Sequence, residues 1–343
     1  MDEKYIILTN ASEIDPVLWG QFVNSHPAGN IFHTPEYYHL ITSTPKHEAI
    51  VICCFEGGDI AGLLLATVVR TFPRPFSRIT TRSIVWGGPL IKNNDPVIAS
   101  LLLNEYNLRE SLIVLFTQFR NLTDMSLLGP AFTENKYRYE DHLNILIDLG
   151  KGKDAIWSEF HATRRKQINR SLRRGVIVTK GDPADKALMD KCYSLLSIVY
   201  KREGLPFPDP AFFEKAADIF GEKGSLKLFI AWHENELIGF RMVLAFKGLL
   251  YDWYAAANDD FLDKYPNDIL PWEIFCQGIE EGYEKFDFGG AGKPGVPYGV
   301  RDYKSKFGGE LVNYGRYTLI HKPLFYRIVM HLFELRRKLI KRK

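Results

Sequence analysis

The sequence lacks most of the residue patterns that mark metal sites and nucleophilic active sites. Only four of its 343 residues are cysteines, and no two of them form a C-x-x-C pair, which leaves the usual zinc and redox motifs without support. Neither a G-x-S-x-G nor an H-E-x-x-H motif occurs, and the nine histidines are scattered along the chain. We therefore predict no metal site, and we expect the cysteines to be free thiols in a reducing compartment.

Long hydrophobic runs and an excess of one charge are missing as well. The longest apolar stretch, Gly62–Val69, is much shorter than the roughly 20 residues that span a bilayer. The first ten residues, MDEKYIILTN, are acidic where a signal peptide is basic. The formal net charge of +3 does not indicate a nucleic-acid-binding protein. We expect a cytoplasmic protein, either in solution or peripheral at the inner membrane.

The overall amino-acid composition is typical of a globular protein, and the length indicates two domains. Apolar residues make up 46% and charged residues 25% of the chain, and its length exceeds the usual size of one hydrophobic core. Phe55–Gly62 and Trp232–Gly239 share one pattern. In each, the end of an apolar strand is followed by a polar turn and then by a second apolar strand that begins with an isoleucine and a nearby glycine. We interpret this as duplication of one α/β unit, the alternative being chance similarity of two hairpins. The Gly-Lys-Gly segment after Leu149 predicts a boundary between domains 1–149 and 150–343.

Local patterns predict individual elements. Asp15 and Thr34, each followed by a proline, are predicted to cap helices. The apolar pattern predicts a strand over 112–117, one continuous helix over 154–174 and a further helix over 271–282.

A basic segment opens the second half of the chain. Six Lys or Arg and no carboxylate occur between His161 and Arg174. Helical spacing places four of them on one face: Lys166, Arg170, Arg173 and Arg174. Such a cluster requires either an anionic ligand, such as a phosphate, or carboxylates contributed from elsewhere in the fold.

Two later segments could bring backbone amides and a lysine to a substrate. Phe286–Lys293 is a strand end followed by glycines, which lets backbone N–H groups approach a ligand; a tight chain reversal is the alternative. Asp287 in this segment is a candidate base or a structural aspartate. Gly299–Gly309 carries an arginine, two lysines and a tyrosine before a glycine pair. A lysine here could stabilise an oxyanion or bind a carboxylate or phosphate.

The last residues form a basic amphipathic segment, which we expect to be helical. Six of the last eight residues are Lys or Arg, and leucine, isoleucine and phenylalanine side chains precede them. This pattern is typical of a contact with an anionic membrane surface. A solvated tail is the alternative.

The order of several motifs resembles the FemABX family, the aminoacyl and peptidyl transferases of peptidoglycan bridge synthesis. The similar segments follow one another along most of the chain: Asn30–Tyr38, Thr163–Arg170, Arg174–Val176, Tyr200–Gly204, Pro271–Ile274, Phe286–Gly290 and Tyr303–Gly308. The last of these has an aromatic-Lys-x-x-Phe-Gly pattern. The resemblance implies an α/β fold class with two tandem GNAT-like (N-acetyltransferase) domains, whose mixed sheets are flanked by helices and which face a shared cleft.

The resemblance also implies roles for particular residues. Lys304 would lie near the acyl donor or the reacting peptide, with Tyr303 and Phe307 shaping the channel, while Arg202 and the segment 34–38 would hold the acceptor. The candidate catalytic residues are Lys304, Asp287 and Tyr303. The candidate substrate-binding residues are Thr34, Tyr37, Tyr38, Arg164, Arg165, Arg202, Gly289, Gly290, Lys306 and Phe307.

These implications predict an acyltransferase that moves an aminoacyl group to the amine of a peptidoglycan precursor, which could be lipid-linked. We expect no tightly bound cofactor, with aminoacyl-tRNA as the donor or, alternatively, acyl-CoA. Ordinary GNAT enzymes bind the pyrophosphate of acetyl-CoA through a Gln/Arg-x-x-Gly-x-Gly/Ala motif. No Gln or Arg in this sequence is followed three residues later by Gly, which weakens the acetyl-CoA alternative.

Two other functions remain open from the sequence. One is N-acylation of a sugar in envelope polysaccharide synthesis, with acyl-CoA or acyl carrier protein as the donor. The other is a non-enzymatic envelope-assembly or binding protein on the same fold. Loss of Lys304 separates the last from both enzymes, because only an enzyme loses turnover.

Overall fold

The computed structural model describes residues 4–70 and 80–340, with side chains described up to Leu335. The chain forms two compact units. The first comprises Met1–Asp141 and Tyr314–Leu339, and the second His142–Asn313 and Ile340–Lys343.

The first unit is built on a mixed sheet. Its strands, numbered in chain order, are β1 (Tyr5–Leu8), β2 (His47–Glu56), β3 (Asp59–Val69), β4 (Arg82–Trp86), β5 (Leu90–Ile91), β6 (Phe116–Arg120), β7 (Arg138–Glu140) and, from the later segment, β15 (Arg316–Ile320). The order among the described residues is β1-β2-β3-β4-β6-β15-β7, with β5 beside β3. The helices are α1 (Pro16–Ser25), α2 (Pro35–Thr42), α3 (Pro96–Glu110), α4 (Gly129–Glu134) and, after β15, α11 (Pro323–Ile340).

The second unit has a sheet of similar design. Its strands are β8 (Leu143–Asp148), β9 (Ile177–Gly181), β10 (Leu226–His233), β11 (Glu236–Phe246), β12 (Leu249–Ala257), β13 (Lys285–Gly290) and β14 (Glu310–Asn313). They follow the order β14-β8-β13-β12-β11-β10-β9 in the described part of the unit. The helices are α5 (Lys153–Glu159), α6 (Ala162–Arg173), α7 (Lys186–Glu203), α8 (Pro210–Ala216), α9 (Pro266–Glu280) and α10 (Gly299–Ser305). Phenylalanine rings fill the core of this unit: Phe160, Phe275, Phe286, Phe288 and Phe307.

The observed division corrects the predicted boundary between 149 and 150. Strand β8 pairs with β13 and β14 of the second sheet, although it precedes residue 150. Strand β15 returns to the first sheet and pairs with β6 and β7. The Gly-Lys-Gly segment is therefore a turn within the second unit, because strand pairing rather than local flexibility decides where a unit ends.

The predicted caps and hairpins are confirmed. The side chain of Asp15 accepts a 2.7 Å hydrogen bond from the backbone N–H of Val17 at the start of α1. Thr34 caps α2 in the same way through the N–H of Tyr37 at 3.2 Å. The two segments with the shared pattern form the β2–β3 and β10–β11 hairpins, one in each unit.

Three predicted elements are wrong in extent. The continuous helix over 154–174 is two helices, because the chain leaves helical geometry at Phe160, whose buried ring joins the core, and His161 caps α6. The helix predicted to start at Pro271 starts at Pro266 and contains Pro271. The strand predicted over 112–117 lies at β6 instead, and its first predicted residues form an exposed turn.

The two units differ at their parallel strand pairs. In the first, β4 and β6 stay in register over all five residues of each strand. In the second, β12 and β13 pair only from Leu249 to Tyr251 and from Lys285 to Asp287. Strand β12 separates from β13 after Tyr251. Close by, at Trp253, β12 has a bulge opposite β11, between the Val243–Asp252 and Met242–Tyr254 pairs. The second unit therefore has an open edge at the carboxyl ends of two parallel strands, where open α/β sheets bind ligands.

Candidate active site

Lys304 occupies the open edge of β13 in place of a strand partner. It lies on α10, and its Nζ donates hydrogen bonds to the carbonyl oxygens of Phe288 at 2.6 Å and Gly290 at 2.9 Å. An ammonium group carries three hydrogens, so one donor has no partner among the residues that the structure describes. Burial lowers the pKa of Lys304 below its usual value. A partly buried cation with a spare donor is suited to stabilising a developing oxyanion.

Asp287 is the last residue of β13 that pairs with β12, and it is 1% exposed. Its carboxylate accepts a 2.6 Å hydrogen bond from the backbone N–H of Gly289, whose φ is +70°, and contacts of 3.3 and 3.4 Å from Nδ2 of Asn144. Burial raises the pKa of Asp287 to about 6, although these hydrogen bonds and the charge of Lys304 lower it. A carboxyl group with this pKa can exchange a proton near neutral pH.

Tyr303 is held in place by a hydrogen bond to a backbone carbonyl of α9. This carbonyl belongs to Asn267 and lacks the usual helical N–H partner. Because proline has no N–H, Pro271 donates no hydrogen bond to the carbonyl of Asn267, four residues earlier in α9. The Tyr303 hydroxyl donates to that carbonyl instead, and it accepts a 3.0 Å hydrogen bond from a guanidinium nitrogen of Arg241. Burial raises the pKa of Tyr303. The phenol is therefore held neutral and oriented beside Lys304.

A buried ion pair joins β11 and β12 next to the bulge. Arg241 donates from Nη1 to Oδ2 of Asp252, and the two side chains are 5% and 9% exposed. The other carboxylate oxygen, Oδ1 of Asp252, has no hydrogen-bond partner within the described residues. A buried acceptor without a donor is costly, so this atom can accept an N–H group of a ligand.

Arg164 is buried in the fold rather than presented to a substrate. It forms an ion pair with Asp268 of α9 and donates a 3.0 Å hydrogen bond to the backbone carbonyl of Tyr303. Its guanidinium lies 4.7 Å from the ring centre of Tyr303 and 4.3 Å from that of Phe307, which is fully buried. Arg164 and Phe307 therefore hold α10, and with it Lys304, in position.

The other basic residues of α6 also meet groups of the second unit. Arg165 donates to carbonyl oxygens at the end of α5, the shortest contact being 2.6 Å to Phe160. Arg174 forms a 3.0 Å ion pair with Asp263. Of the predicted cluster, Arg174 thus has a carboxylate contributed from elsewhere in the fold, whereas Arg165, outside that cluster, has only nearby backbone carbonyls as partners. Lys166 and Arg173 are exposed.

Arg202 and Lys306 lie on the surface. Arg202 pairs with Asp259 and, at 3.5 Å, with Glu203. The side chain of Lys306 is exposed, and its backbone carbonyl accepts a 2.9 Å hydrogen bond from the N–H of His161.

The remaining predicted residues belong to the first unit. Thr34 is buried as the cap of α2, and Tyr37 is 4% exposed with its hydroxyl 3.3 Å from that of Thr67. Tyr38 is half-buried, with its ring edge-on to Trp19 at 5.7 Å. Their observed contacts stabilise the first unit.

Aromatic side chains crowd around the bulge of β12. They come from β12, α7, α8 and the segment between those helices: Tyr193, Tyr200, Phe207, Phe212, Phe213, Trp253 and Tyr254. Neighbouring ring centres are 4.9–6.4 Å apart. The open edge is thus flanked on the β12 side by rings and on the β13 side by Lys304.

The structure brings five predicted residues together: Lys304, Asp287, Tyr303, Gly289 and Gly290. Sequence reasoning missed Arg241, Asp252 and Asn144. The available signal was a charged residue inside an apolar strand, as Arg241 is within Glu236–Phe246, because such a charge requires a buried partner.

Residues 158–305 match a protein-family model described as an acetyltransferase (GNAT) domain. This stretch contains the open edge and the residues around it, namely Arg241, Asp252, Asp287, Tyr303 and Lys304, but not Asn144. The match confirms the predicted acyltransferase class. No curated protein matches the chain at a significant level.

Several solved structures have a similar fold over nearly the whole chain. A FemX structure is 15% identical with a TM-score of 0.71, over 92% of this chain and 98% of that one. The C-terminal domain of a putative lysylphosphatidylglycerol synthetase from Agrobacterium fabrum is 14% identical with a TM-score of 0.58, over 94% and 95%. A tandem GNAT protein from the clavulanic acid biosynthesis pathway is 9% identical with a TM-score of 0.58, over 92% and 98%. These likenesses confirm the predicted fold of two GNAT-like units and support the resemblance to the FemABX family.

Proposed function

We propose that this acyltransferase of GNAT fold transfers an aminoacyl group from aminoacyl-tRNA to the amine of a cell-wall precursor. The observation that carries the proposal is the lysine at the open edge, since Lys304 keeps one donor beyond its contacts with Phe288 and Gly290. Supporting it are the FemABX-like motifs and the fold shared with FemX. A relative named for lysylphosphatidylglycerol synthesis shares the same fold.

In the proposed reaction, the amine nitrogen attacks the carbonyl carbon of the aminoacyl ester. The oxygen of that carbonyl becomes an oxyanion and accepts a hydrogen bond from Lys304. Asp287 removes the proton of the attacking amine and returns it to the ribose oxygen, which leaves as the ester C–O bond breaks. Oδ1 of Asp252, which lacks a partner in the described structure, accepts an N–H of the incoming amine. Atoms and charge balance without a metal ion or a redox partner.

The N-terminus of α9, and the turn before it, argue against acyl-CoA as the donor. The N-terminus of a helix that follows a strand attracts phosphate groups, but here the preceding turn, Asp259–Lys264, contributes three aspartates. The first turn of α9 adds Asp268, already paired with Arg164. Most of these carboxylates are paired with arginines, but a helix start with so many acidic groups is poorly suited to the pyrophosphate of acyl-CoA, which supports a donor other than CoA.

For the acceptor, we propose that Arg202 exchanges its exposed contact with Asp259 for an anionic group of the precursor. The pair is half-exposed, with 47% and 51% of the side chains accessible, so the exchange costs little. Lys306 and Arg165 remain candidates for weaker contacts on the same unit.

The donor can be tested with the full-length protein and a nucleotide-linked muropeptide precursor. We expect total tRNA charged with all amino acids to increase the precursor mass by one aminoacyl residue, whereas acetyl-CoA and acyl carrier protein leave it unchanged. Saturable acyl transfer from acetyl-CoA or acyl carrier protein, with none from charged tRNA, would contradict the proposal and favour sugar N-acylation. No transfer from any of the three donors would favour a binding protein.

The pH dependence of turnover tests the role of Asp287. Because burial raises the pKa of Asp287 to about 6, its carboxyl group is protonated below that pH and cannot remove a proton. We expect kcat/KM to fall as pH drops below about 6, and Asp287→Asn to remove this limb together with most of the activity. An unchanged limb in Asp287→Asn would assign the base to another group.

A further inference from the structure

Helix α11 presents an apolar face to solvent. Five large apolar side chains on it are between 43% and 68% exposed: Leu324, Phe325, Ile328, Leu332 and Leu335. At about 100° per residue they fall within a stripe roughly 100° wide. Isolated exposed leucines are ordinary, but a contiguous stripe along one helix indicates a surface that something covers.

The opposite face of the same helix already packs on the first unit. Tyr326, Val329, Met330 and Phe333 are half-buried, and the ring of Tyr326 lies edge-on to Phe116 of β6 at 5.5 Å. The helix is therefore anchored by one apolar face while the second remains exposed, so the exposed stripe is not needed to hold the helix in place.

A loop tip extends this surface beside the start of the helix. Leu112 is 83% exposed and Ile113 is 42% exposed. Nζ of Lys322 donates a 2.8 Å hydrogen bond to the carbonyl of Leu112, and the N–H of His321 donates to Leu115 at 3.0 Å. These bonds hold the tip beside the residues that directly precede α11. Two elements far apart in sequence thus expose apolar side chains at one place.

Positive charge is concentrated in the same segment. Residues 321–343 contain eight Lys or Arg and one Glu, whereas the rest of the chain has 36 basic and 40 acidic residues, a net charge of −4. Two copies facing each other through this segment would repel. An anionic surface is attracted, and an apolar interior accepts the exposed leucines.

We propose that the exposed face of α11 and the Leu112–Ile113 tip form a docking surface for an anionic lipid bilayer. None of the helices in the described ranges combines the length and apolarity needed to cross a membrane. A helix with one exposed apolar stripe and one packed face is suited to lie in the plane of the interface. Its apolar stripe enters the acyl boundary while basic residues meet the headgroups. This inference is independent of the reaction that the second unit catalyses.

Co-sedimentation of the full-length protein with vesicles tests the proposal. We expect binding to vesicles of phosphatidylcholine with 30% phosphatidylglycerol, little binding to pure phosphatidylcholine, and weaker binding at 1 M salt. Leu332→Asp is expected to lower the partition coefficient at least about tenfold, since one buried leucine contributes that much. A chain ending at Glu334, which loses most of the basic residues, should show a similar loss.

Leu127→Asp is the matched control, because Leu127 is 71% exposed on the first unit and lies outside the stripe. It should bind as the unaltered protein does, and thermal melts should show that all variants fold. Equal binding to neutral vesicles, or unchanged binding by Leu332→Asp, overturns the proposal. The proposal is also overturned if the protein binds no vesicles but forms a dimer in solution that Leu332→Asp dissociates. In that case the exposed face binds a second copy of the chain.

Discussion

Lys304→Ala is expected to lower kcat by about 10²–10³-fold while leaving the fold intact. Its ammonium is the donor at the open edge of β13, and removal of one preorganised oxyanion donor typically has this effect. The two carbonyls that Lys304 contacts, those of Phe288 and Gly290, face an open edge, where water can replace the lost hydrogen bonds. Steady-state transfer kinetics measure the effect, with circular dichroism confirming the fold.

Lys285→Ala is the control for charge alone. Lys285 is an exposed lysine at the other end of the same strand, so its loss removes one charge from the unit without touching the open edge. We expect turnover within about twofold of the unaltered protein. If Lys304→Ala retained full turnover, the oxyanion role and the catalytic claim would both fail.

Arg241→Met is expected to destabilise the second unit by about 3–5 kcal/mol, because it leaves the buried carboxylate of Asp252 without its partner. The side chains are only 5% and 9% exposed, so water cannot take over the role of the guanidinium. The change also removes the hydrogen bond from Arg241 to Tyr303. Urea-induced unfolding, followed by circular dichroism, gives the loss as a lower transition midpoint.

The double variant Arg241→Met/Asp252→Leu separates pairing from packing. Replacing both charges with apolar groups of similar volume is often neutral or stabilising, so most of the lost stability should return. Activity should not return, because the acceptor oxygen of Asp252 is gone. A double variant as unstable as the single one would show that the guanidinium acts through its shape rather than its charge.

Local chemistry made part of this fold predictable. The capping residues Asp15 and Thr34 directly precede the helices that they cap, so a short stretch of sequence predicts them. The β2–β3 and β10–β11 hairpins are likewise read from a polar turn between two apolar strands. In such cases the partners lie within a few residues of each other, and a pattern in the sequence records the contact.

Pairings between distant residues were not predictable in the same way. Strand β15 joins β6 across about 200 residues, with Tyr317 opposite Phe119, and no local pattern encodes that register. The open edge depends on where β12 and β13 stop pairing, which is a property of the sheet. Asp287 was found because it lies in a strand end followed by glycines, and Lys304 because its segment resembles the aromatic-Lys-x-x-Phe-Gly pattern of the FemABX family. Arg241 and Asp252 were hidden among apolar strand residues.

We propose that Lys304 at the open edge stabilises the oxyanion in aminoacyl transfer to a cell-wall precursor. Mass spectrometry of precursors from a strain that lacks the gene tests it most directly. We predict precursors lighter by the transferred residue, restored by the unaltered gene and not by Lys304→Ala produced at the same level. Precursors unchanged in the deletion strain, or full restoration by Lys304→Ala, would contradict the claim.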